Sequence, residues 1–91
     1  MEIDNYLHHY NEFLDEFNLP KDPVASGNKT IQESIEFNVA FIYGTQSEAD
    51  DEAIDLMNTA IMNVVDRGIS NPLHAGYMKL QRTAEKYRSQ Q

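Results

Sequence analysis

Cysteine is absent from this 91-residue sequence, which excludes a disulfide framework and thiolate metal sites such as zinc ribbons. A reduced, intracellular setting agrees with this absence. Long apolar runs are also missing, since no segment approaches the roughly 18 consecutive apolar residues of a membrane span. The N-terminus carries Glu2 and Asp4 where a signal peptide needs positive charge followed by an apolar run. We therefore expect a cytoplasmic protein that does not bind membranes.

Positive charge is scarce, because seven lysines and arginines stand against fifteen acids and give a formal net charge of −8. This balance argues against binding a nucleic acid polymer through a basic surface. Much of the acid lies between Glu33 and Asp55, whereas four cations lie near the C-terminus: Lys79, Arg82, Lys86 and Arg88. A polyphosphate held by metal on the acidic segment and by these cations would use both regions. The simpler alternative is a solvated acidic surface.

The length predicts a single domain over residues 1–91 with a marginal core. A chain of this size buries only roughly 60 to 65% of the surface that its unfolded form exposes. We therefore expect a homo-oligomer, either a homodimer or a homotetramer, in which neighbouring subunits complete the core.

Apolar residues recur at helical spacing in the first half of the chain. The first predicted helix covers about residues 3–18 and stops before Pro20. Residues 21–28 contain proline, glycine, serine and asparagine, which predicts a loop. The second predicted helix runs from about Thr30 to Gly44, a natural C-terminal cap.

The second half continues this pattern. A polar turn over residues 45–47 leads into a third helix, capped by Ser47 with Asp50 and ending at about Gly68. Asn71 and Pro72 supply an N-cap and a first helical residue for a fourth helix, followed by a polar tail over residues 88–91. No segment alternates as a strand does, so the predicted fold is an all-α four-helix bundle.

Two carboxylate pairs, Glu33 with Glu36 and Glu52 with Asp55, lie in the second and third predicted helices. Residues three apart share a helix face, so four carboxylates converge if the two helices face each other. Such a cluster repels itself unless a cation lies in it, and hard divalent ions favour sites made of oxygen ligands. The alternatives are structural: Glu33 completes a capping box with Thr30, and Glu52 and Asp55 are first-turn acids favoured by the helix dipole.

Glu33-x-x-Glu36 and Glu52-x-x-Asp55, separated by fifteen residues, resemble the paired motifs of the MazG-like, all-α nucleoside triphosphate pyrophosphohydrolases. Residues 13–20 are similar to the end of the first helix in a subgroup related to phosphoribosyl-ATP pyrophosphohydrolases. Residues 73–79 resemble a C-terminal segment of that subgroup more weakly, with Tyr77 in place of its asparagine. The resemblance spans about residues 3–88.

The resemblance implies Mg²⁺-dependent hydrolysis of a ribo- or deoxynucleoside triphosphate between the α and β phosphates, with Mn²⁺ as an alternative ion. It assigns the metal ligands as Glu33, Glu36, Glu52 and Asp55. Glu33 or Glu36 would also orient or deprotonate the attacking water, and the sequence leaves the choice between them open.

Three further polar residues are candidates for substrate binding. Asn58 follows Asp55 by three residues on the same helix face, and Lys79 and Arg82 share a face of the fourth helix. Alternatively, Asn58 occupies an ordinary solvated position on its helix. Lys79 and Arg82 could likewise serve only solubility and the helix dipole. For the whole chain, the rival interpretation is a noncatalytic acidic helical module that binds a protein partner.

Overall fold

Four α-helices account for most of the computed structural model, which describes residues 3–90. They are α1 (Ile3–Glu16), α2 (Pro23–Tyr43), α3 (Gln46–Asp66) and α4 (Pro72–Ser89), and no strand occurs among these residues. The all-α prediction is confirmed. Glu2 and the end of the predicted polar tail at Gln91 lie outside the described residues. Between residues 3 and 90, no helix is both long and apolar enough to cross a membrane.

The C-terminal end of α1 is set by Asn18, which adopts a left-handed backbone with φ of 52°. Asparagine tolerates this conformation better than most residues. The backbone N–H of Leu19 then donates to the carbonyl of Leu14 at 2.8 Å, which satisfies a carbonyl that the helix leaves open. The helix therefore ends slightly before the predicted boundary.

The prediction of a loop over residues 21–28 is wrong for most of that segment, because α2 begins at Pro23. Asp22 is the N-cap, and its Oδ1 accepts hydrogen bonds from the backbone N–H groups of Val24 at 3.0 Å and Ala25 at 3.2 Å. Proline at the first helical position has a fixed φ that suits a helix start and lacks only an N–H that would have no partner there. Together they begin the helix about two turns earlier than predicted.

The capping assignments at Thr30 and Ser47 are also wrong. Thr30 lies inside α2, where its hydroxyl donates to the carbonyl of Ser26 at 2.8 Å. The N-cap of α3 is Thr45, whose hydroxyl oxygen accepts a hydrogen bond from the backbone N–H of Glu48 at 3.2 Å. In return, the Glu48 carboxylate accepts a hydrogen bond from the backbone N–H of Thr45. This reciprocal capping box satisfies two backbone N–H groups at the helix start.

α2 and α3 form the packed part of the molecule, an antiparallel helical hairpin closed by Gly44 and Thr45. At its open end, the amide of Asn63 on α3 donates to the carbonyl of Pro23 at 2.7 Å and to the hydroxyl of Ser26 at 3.1 Å. A Cβ atom on Gly27 would lie 3.3 Å from the Asn63 amide nitrogen. The absence of a side chain at Gly27 therefore permits the close approach of the two helices.

α1 lies against one side of this hairpin, held by two tyrosines. The Tyr6 hydroxyl donates to Oδ1 of Asn58 at 3.1 Å, and the Tyr10 hydroxyl donates to Oδ1 of Asp66 at 2.7 Å. α4 also makes few contacts with α3, and none of its residues is buried, so it extends from the hairpin. The radius of gyration is 15.6 Å, compared with about 12 Å for a compact domain of this length.

Burial within the single chain is slight. The only apolar residues buried among those described are Tyr10, Leu14 and Ala40, and no side chain in that part of the chain is less than 2% exposed. The regular apolar series on α2 points away from α3 instead of into the hairpin; its members are Val24, Ile31, Ile35, Val39 and Ile42, which are 56% to 71% exposed. A four-helix core is therefore not completed by one copy of the chain.

Candidate metal centre

The carboxylates of the candidate site are held by both helices of the hairpin, with Glu33 and Glu36 on α2 and Glu52 on α3. The connection between the helices fixes their relative rotation, because Gly44 and Thr45 alone join them. A Cβ atom on Gly44 would lie 2.7 Å from the carbonyl oxygen of Ala40, so the turn requires glycine here. Local sequence therefore sets which face of α3 meets α2.

Three carboxylates converge between the two helices. One oxygen from each of Glu33, Glu36 and Glu52 lies within 4.8 Å of the others. Glu33 is only 7% exposed, which is unusual for an acid in a domain with so small a core. Oε2 of Glu33 and Oε2 of Glu52 are buried without a hydrogen-bond partner among the described residues. A buried carboxylate oxygen without a partner loses several kcal/mol of hydration, in order of magnitude, unless a cation or donor compensates it.

Part of that compensation comes from Lys29, one turn before Glu33 on α2. Its ammonium nitrogen lies 3.2 Å from Oε1 of Glu33, and its side chain is 53% exposed. Lysine and glutamate four apart on a helix face each other directly. This pair leaves the other oxygen of Glu33, and the whole of Glu52, without a positive partner in the described part of the chain.

The two neighbouring carboxylates affect the pKa of Glu36. Its pKa is raised above the ordinary glutamate value, first by a hydrogen bond with Glu33 and then by the charge of Glu33. A small loss of hydration and the charge of Glu52 add to this increase, and Lys29 opposes it. The charges of Glu33 and Glu52 therefore favour the protonated form of Glu36, and a cation bound between the helices would oppose this effect.

The donor set fits a magnesium ion. Three carboxylates supply only hard oxygen ligands, and Mg²⁺ typically takes one or two carboxylates from protein and fills its octahedron with water and phosphate oxygens. The two partnerless buried oxygens, on Glu33 and Glu52, are the atoms that an ion between the helices would satisfy. Manganese prefers the same oxygen ligands and fits equally well.

The other predicted site residues are placed differently. Asp55 is solvent-exposed, one turn beyond Glu52, and is not among the three converging carboxylates. Asn58 is half-buried, and its side-chain oxygen accepts the hydrogen bond from Tyr6. Lys79 and Arg82 are exposed on α4, and neither forms an ion pair within residues 3–90. The structure thus brings together three of the four predicted ligands, and it brings neither cation of α4 to them.

Concave surfaces lie on either side of the carboxylates along the hairpin. Towards Gly44, a groove of about 420 Å³ is lined by Glu36 and Glu52 together with apolar residues such as Ile35 and Val39. Towards the end covered by α1, a cavity of about 410 Å³ is lined by Lys29 and Thr59 and mainly by apolar side chains. Since Lys29 also contacts Glu33, the cavity lies one helical turn from the carboxylate cluster.

Lys29 is the residue near the site that was missed by the sequence analysis. Its spacing of four residues from Glu33 was a usable signal, but Lys29 precedes the predicted start of the second helix at about Thr30, and such spacing has no meaning outside a helix. The hydrogen bond from Tyr6 to Asn58 was not foreseeable, because it joins residues 52 apart in the sequence.

Comparison with known proteins identified no relative: no protein family, no curated protein and no solved structure matches this chain.

Proposed function

We propose that this protein is a Mg²⁺-dependent nucleoside triphosphate pyrophosphohydrolase of the MazG-like type. It would hydrolyse a ribo- or deoxynucleoside triphosphate between the α and β phosphates, giving a nucleoside monophosphate and pyrophosphate. The observation that carries the proposal is the convergence of Glu33, Glu36 and Glu52, with two of their oxygens buried and partnerless. The order of the two motifs on consecutive antiparallel helices supports it.

Each carboxylate has a role in this proposal. Glu33, Glu36 and Glu52 would hold the ion, and Asp55, which is exposed one turn beyond Glu52, would join them after a change of side-chain rotamer. Mg²⁺, when bound, supplies neutralisation of phosphate charge and makes an attacking water more acidic. Glu33 or Glu36 would accept the proton of that water, and Lys29, which pairs with Glu33, would interact with a phosphate oxygen.

The substrate groups remote from the ion would bind along the hairpin. Asn58 borders a smaller cavity beneath α1, where it is held by Tyr6. α4 extends away from the hairpin. Lys79 and Arg82 would therefore reach the phosphates only if α4 moved or if a second copy of the chain supplied it. We propose a cytoplasmic location for this activity. The MazG-type bundle would be completed by oligomerisation.

The test is pyrophosphate release from a panel of ribo- and deoxynucleoside triphosphates, with Mg²⁺ and with a chelator. We expect metal-dependent release that falls by at least about 100-fold in Glu36→Gln, since several kcal/mol of charge stabilisation are lost. The matched control is Glu85→Gln, the same change at an exposed position on α4. Release that persists in chelator, or is equal in both variants, contradicts the proposal.

Two observations favour a second candidate, a noncatalytic acidic helical module that binds a protein partner. Lys29 already neutralises part of the cluster, and a large apolar surface is exposed on α2. This candidate predicts no pyrophosphate release from any nucleotide and no increase in thermal stability with Mg²⁺.

A further inference from the structure

The cavity of about 410 Å³ between α1 and the helical hairpin has the form of a small-molecule site. Its walls come from all three helices and are mainly apolar, with Phe13 on α1, Ala25 on α2 and Met62 on α3. Ligand pockets in proteins span roughly 300 to 1,000 Å³ and combine an apolar lining with a few polar groups. The volume and the lining therefore suit a small ligand with a flat apolar body.

The two ends of this cavity differ in their polar groups. Lys29, which contacts Glu33, lies at the end next to the carboxylate cluster, together with Thr59. Asp22 and Asp66 lie at the opposite end, at the start of α2 and the end of α3. Asp22 precedes Glu33 by eleven residues, which corresponds to roughly 16 Å along the axis of a helix. A ligand that fills the cavity therefore reaches from the neighbourhood of the cluster to the two aspartates.

The hydroxyl groups in the cavity wall have no proton left for a ligand. Those of Tyr10, Ser26 and Thr59 each donate to a protein carboxylate or backbone carbonyl, at 2.7 to 3.1 Å. A hydroxyl has a single proton, so these three groups can only accept from a ligand. Among the described side chains of the wall, the ammonium group of Lys29 alone retains donors. Away from Lys29, the cavity therefore suits a ligand that donates hydrogen bonds.

The carboxylate of Asp66 is the acceptor best placed for such a ligand. Asp66 is half-buried, and its Oδ1 accepts the hydrogen bond from Tyr10. Its Oδ2 accepts no hydrogen bond and forms no ion pair within residues 3–90. Asp22, in contrast, is exposed, and its Oδ1 already caps α2. A half-buried carboxylate oxygen without a partner gains from a donor on the ligand.

We infer that the cavity receives the base of the nucleotide and that Asp66 selects a base with an exocyclic amino group. The inference takes from the proposed function only the class of ligand, a nucleotide whose phosphates lie at the carboxylate cluster. Cytosine and adenine present an amino group, from which a carboxylate accepts a hydrogen bond. Uracil and hypoxanthine carry a carbonyl oxygen in its place, which would face Asp66 as a second acceptor and leave its oxygen unpaired.

The first experiment measures the binding of nucleosides, which lack phosphate, in chelator by NMR titration of the labelled protein. The matched pairs are cytidine with uridine and adenosine with inosine, in which a carbonyl oxygen replaces the amino group. We expect the amino member of each pair to bind about 10-fold more tightly, because Asp66 is only half-buried and water weakens the discrimination. No detectable binding, or equal binding within both pairs, overturns the inference.

A variant assigns this selectivity to Asp66. Asp66→Asn preserves the shape of the side chain and can still accept from Tyr10, but it replaces one acceptor oxygen with a donor. It should therefore abolish the preference for the amino member of each pair. The control is Asp15→Asn, the same change at an exposed position of α1 outside the cavity, which should retain the preference. An unchanged preference in Asp66→Asn overturns the inference.

The second experiment needs only the wild type. Cytidine should shift the NMR signals of Asp66 and Tyr10 more than uridine does at equal occupancy, because the amino group contacts the carboxylate that Tyr10 holds. Shifts confined to residues outside the cavity overturn the inference. Selective cytidine binding without pyrophosphate release would contradict the proposed hydrolysis and support the base site, whereas release without selective nucleoside binding would do the reverse.

Discussion

The ammonium nitrogen of Lys29 lies 3.2 Å from Oε1 of Glu33, and this pair joins an exposed cation to the most buried acid among residues 3–90. Lys29 supplies the positive charge nearest to the cluster of Glu33, Glu36 and Glu52 in the structure. A bound cation and Lys29 therefore stabilise the same group, which makes their effects on stability interdependent.

Replacement of Lys29 by methionine should lower the free energy of unfolding by about 1 kcal/mol in chelator, because Glu33 then keeps an unpaired charge while the half-exposed lysine limits the loss. Saturating Mg²⁺ should reduce this difference by supplying the missing charge. Denaturant unfolding with and without Mg²⁺ measures both. Lys79→Met, on the exposed surface of α4, is the control and should change stability little. A loss that Mg²⁺ leaves unchanged would contradict metal binding at Glu33.

Glu36→Gln should keep or slightly raise the melting temperature in chelator, because it removes the charge that Glu33 and Glu52 repel. It should also abolish stabilisation by Mg²⁺. For the wild type, Mg²⁺ at ten times its dissociation constant should add about 1.4 kcal/mol, or roughly 5 to 10 °C. Calorimetric scans with a Mg²⁺ series give the comparison, with Glu85→Gln as the control. An equal Mg²⁺ response in the two variants would rule out Glu36 as a ligand.

Tyr10→Phe should destabilise the fold by about 1 to 2 kcal/mol at pH 7, because it removes the 2.7 Å hydrogen bond to the Asp66 carboxylate. Burial, this hydrogen bond and the nearby charge of Asp66 raise the pKa of Tyr10 well above its ordinary value. The unfolded chain ionises this tyrosine above about pH 10 while the folded chain keeps the proton, so the contribution is lost as pH rises.

The wild type should therefore lose stability between neutral and strongly alkaline pH more steeply than Tyr10→Phe. Urea unfolding at a series of pH values measures the slopes. Tyr87→Phe, at an exposed position on α4, is the control and should follow the wild type. Parallel curves for wild type and Tyr10→Phe would show that the hydroxyl is not held by Asp66.

Two glycines inside helices should respond oppositely to alanine. Gly76 on α4 has open space around it. Gly76→Ala should raise the free energy of unfolding by about 0.5 to 1 kcal/mol, because alanine restricts the unfolded chain more than glycine does. A methyl group on Gly27 would lie 3.3 Å from the amide nitrogen of Asn63, so Gly27→Ala should yield no gain or a loss. Thermal unfolding of both variants is the measurement. Equal stabilisation would mean that α2 and α3 are further apart at Asn63.

The sequence predicted the number and order of the helices, because apolar periodicity and the Asn71-Pro72 start signal act locally. It misjudged the start of α2, since serine, glycine and asparagine after Pro23 resemble a loop until the contact with Asn63 is known. The carboxylate pairs were found from spacing alone, but the exposure of Asp55 depends on how two helices are rotated about each other.

The apolar series on α2 shows the same limit. Its spacing predicts a buried face, yet spacing does not indicate what covers that face. In the single chain Ile35 is exposed, whereas Glu33, two residues earlier, is buried against α3. Assignment of the two sides of α2 required the tertiary structure.

The connection of two residues, Gly44 and Thr45, has a consequence for the variation that related sequences can tolerate. One residue inserted or deleted there would rotate α3 by about 100° relative to α2 and would turn Glu52 away from Glu33. The segment between α3 and α4, over residues 67–71, carries no such constraint on the carboxylates. Related sequences that keep the carboxylate site should therefore vary in length between α3 and α4, after Asp66, and keep the spacing from Glu36 to Glu52 unchanged.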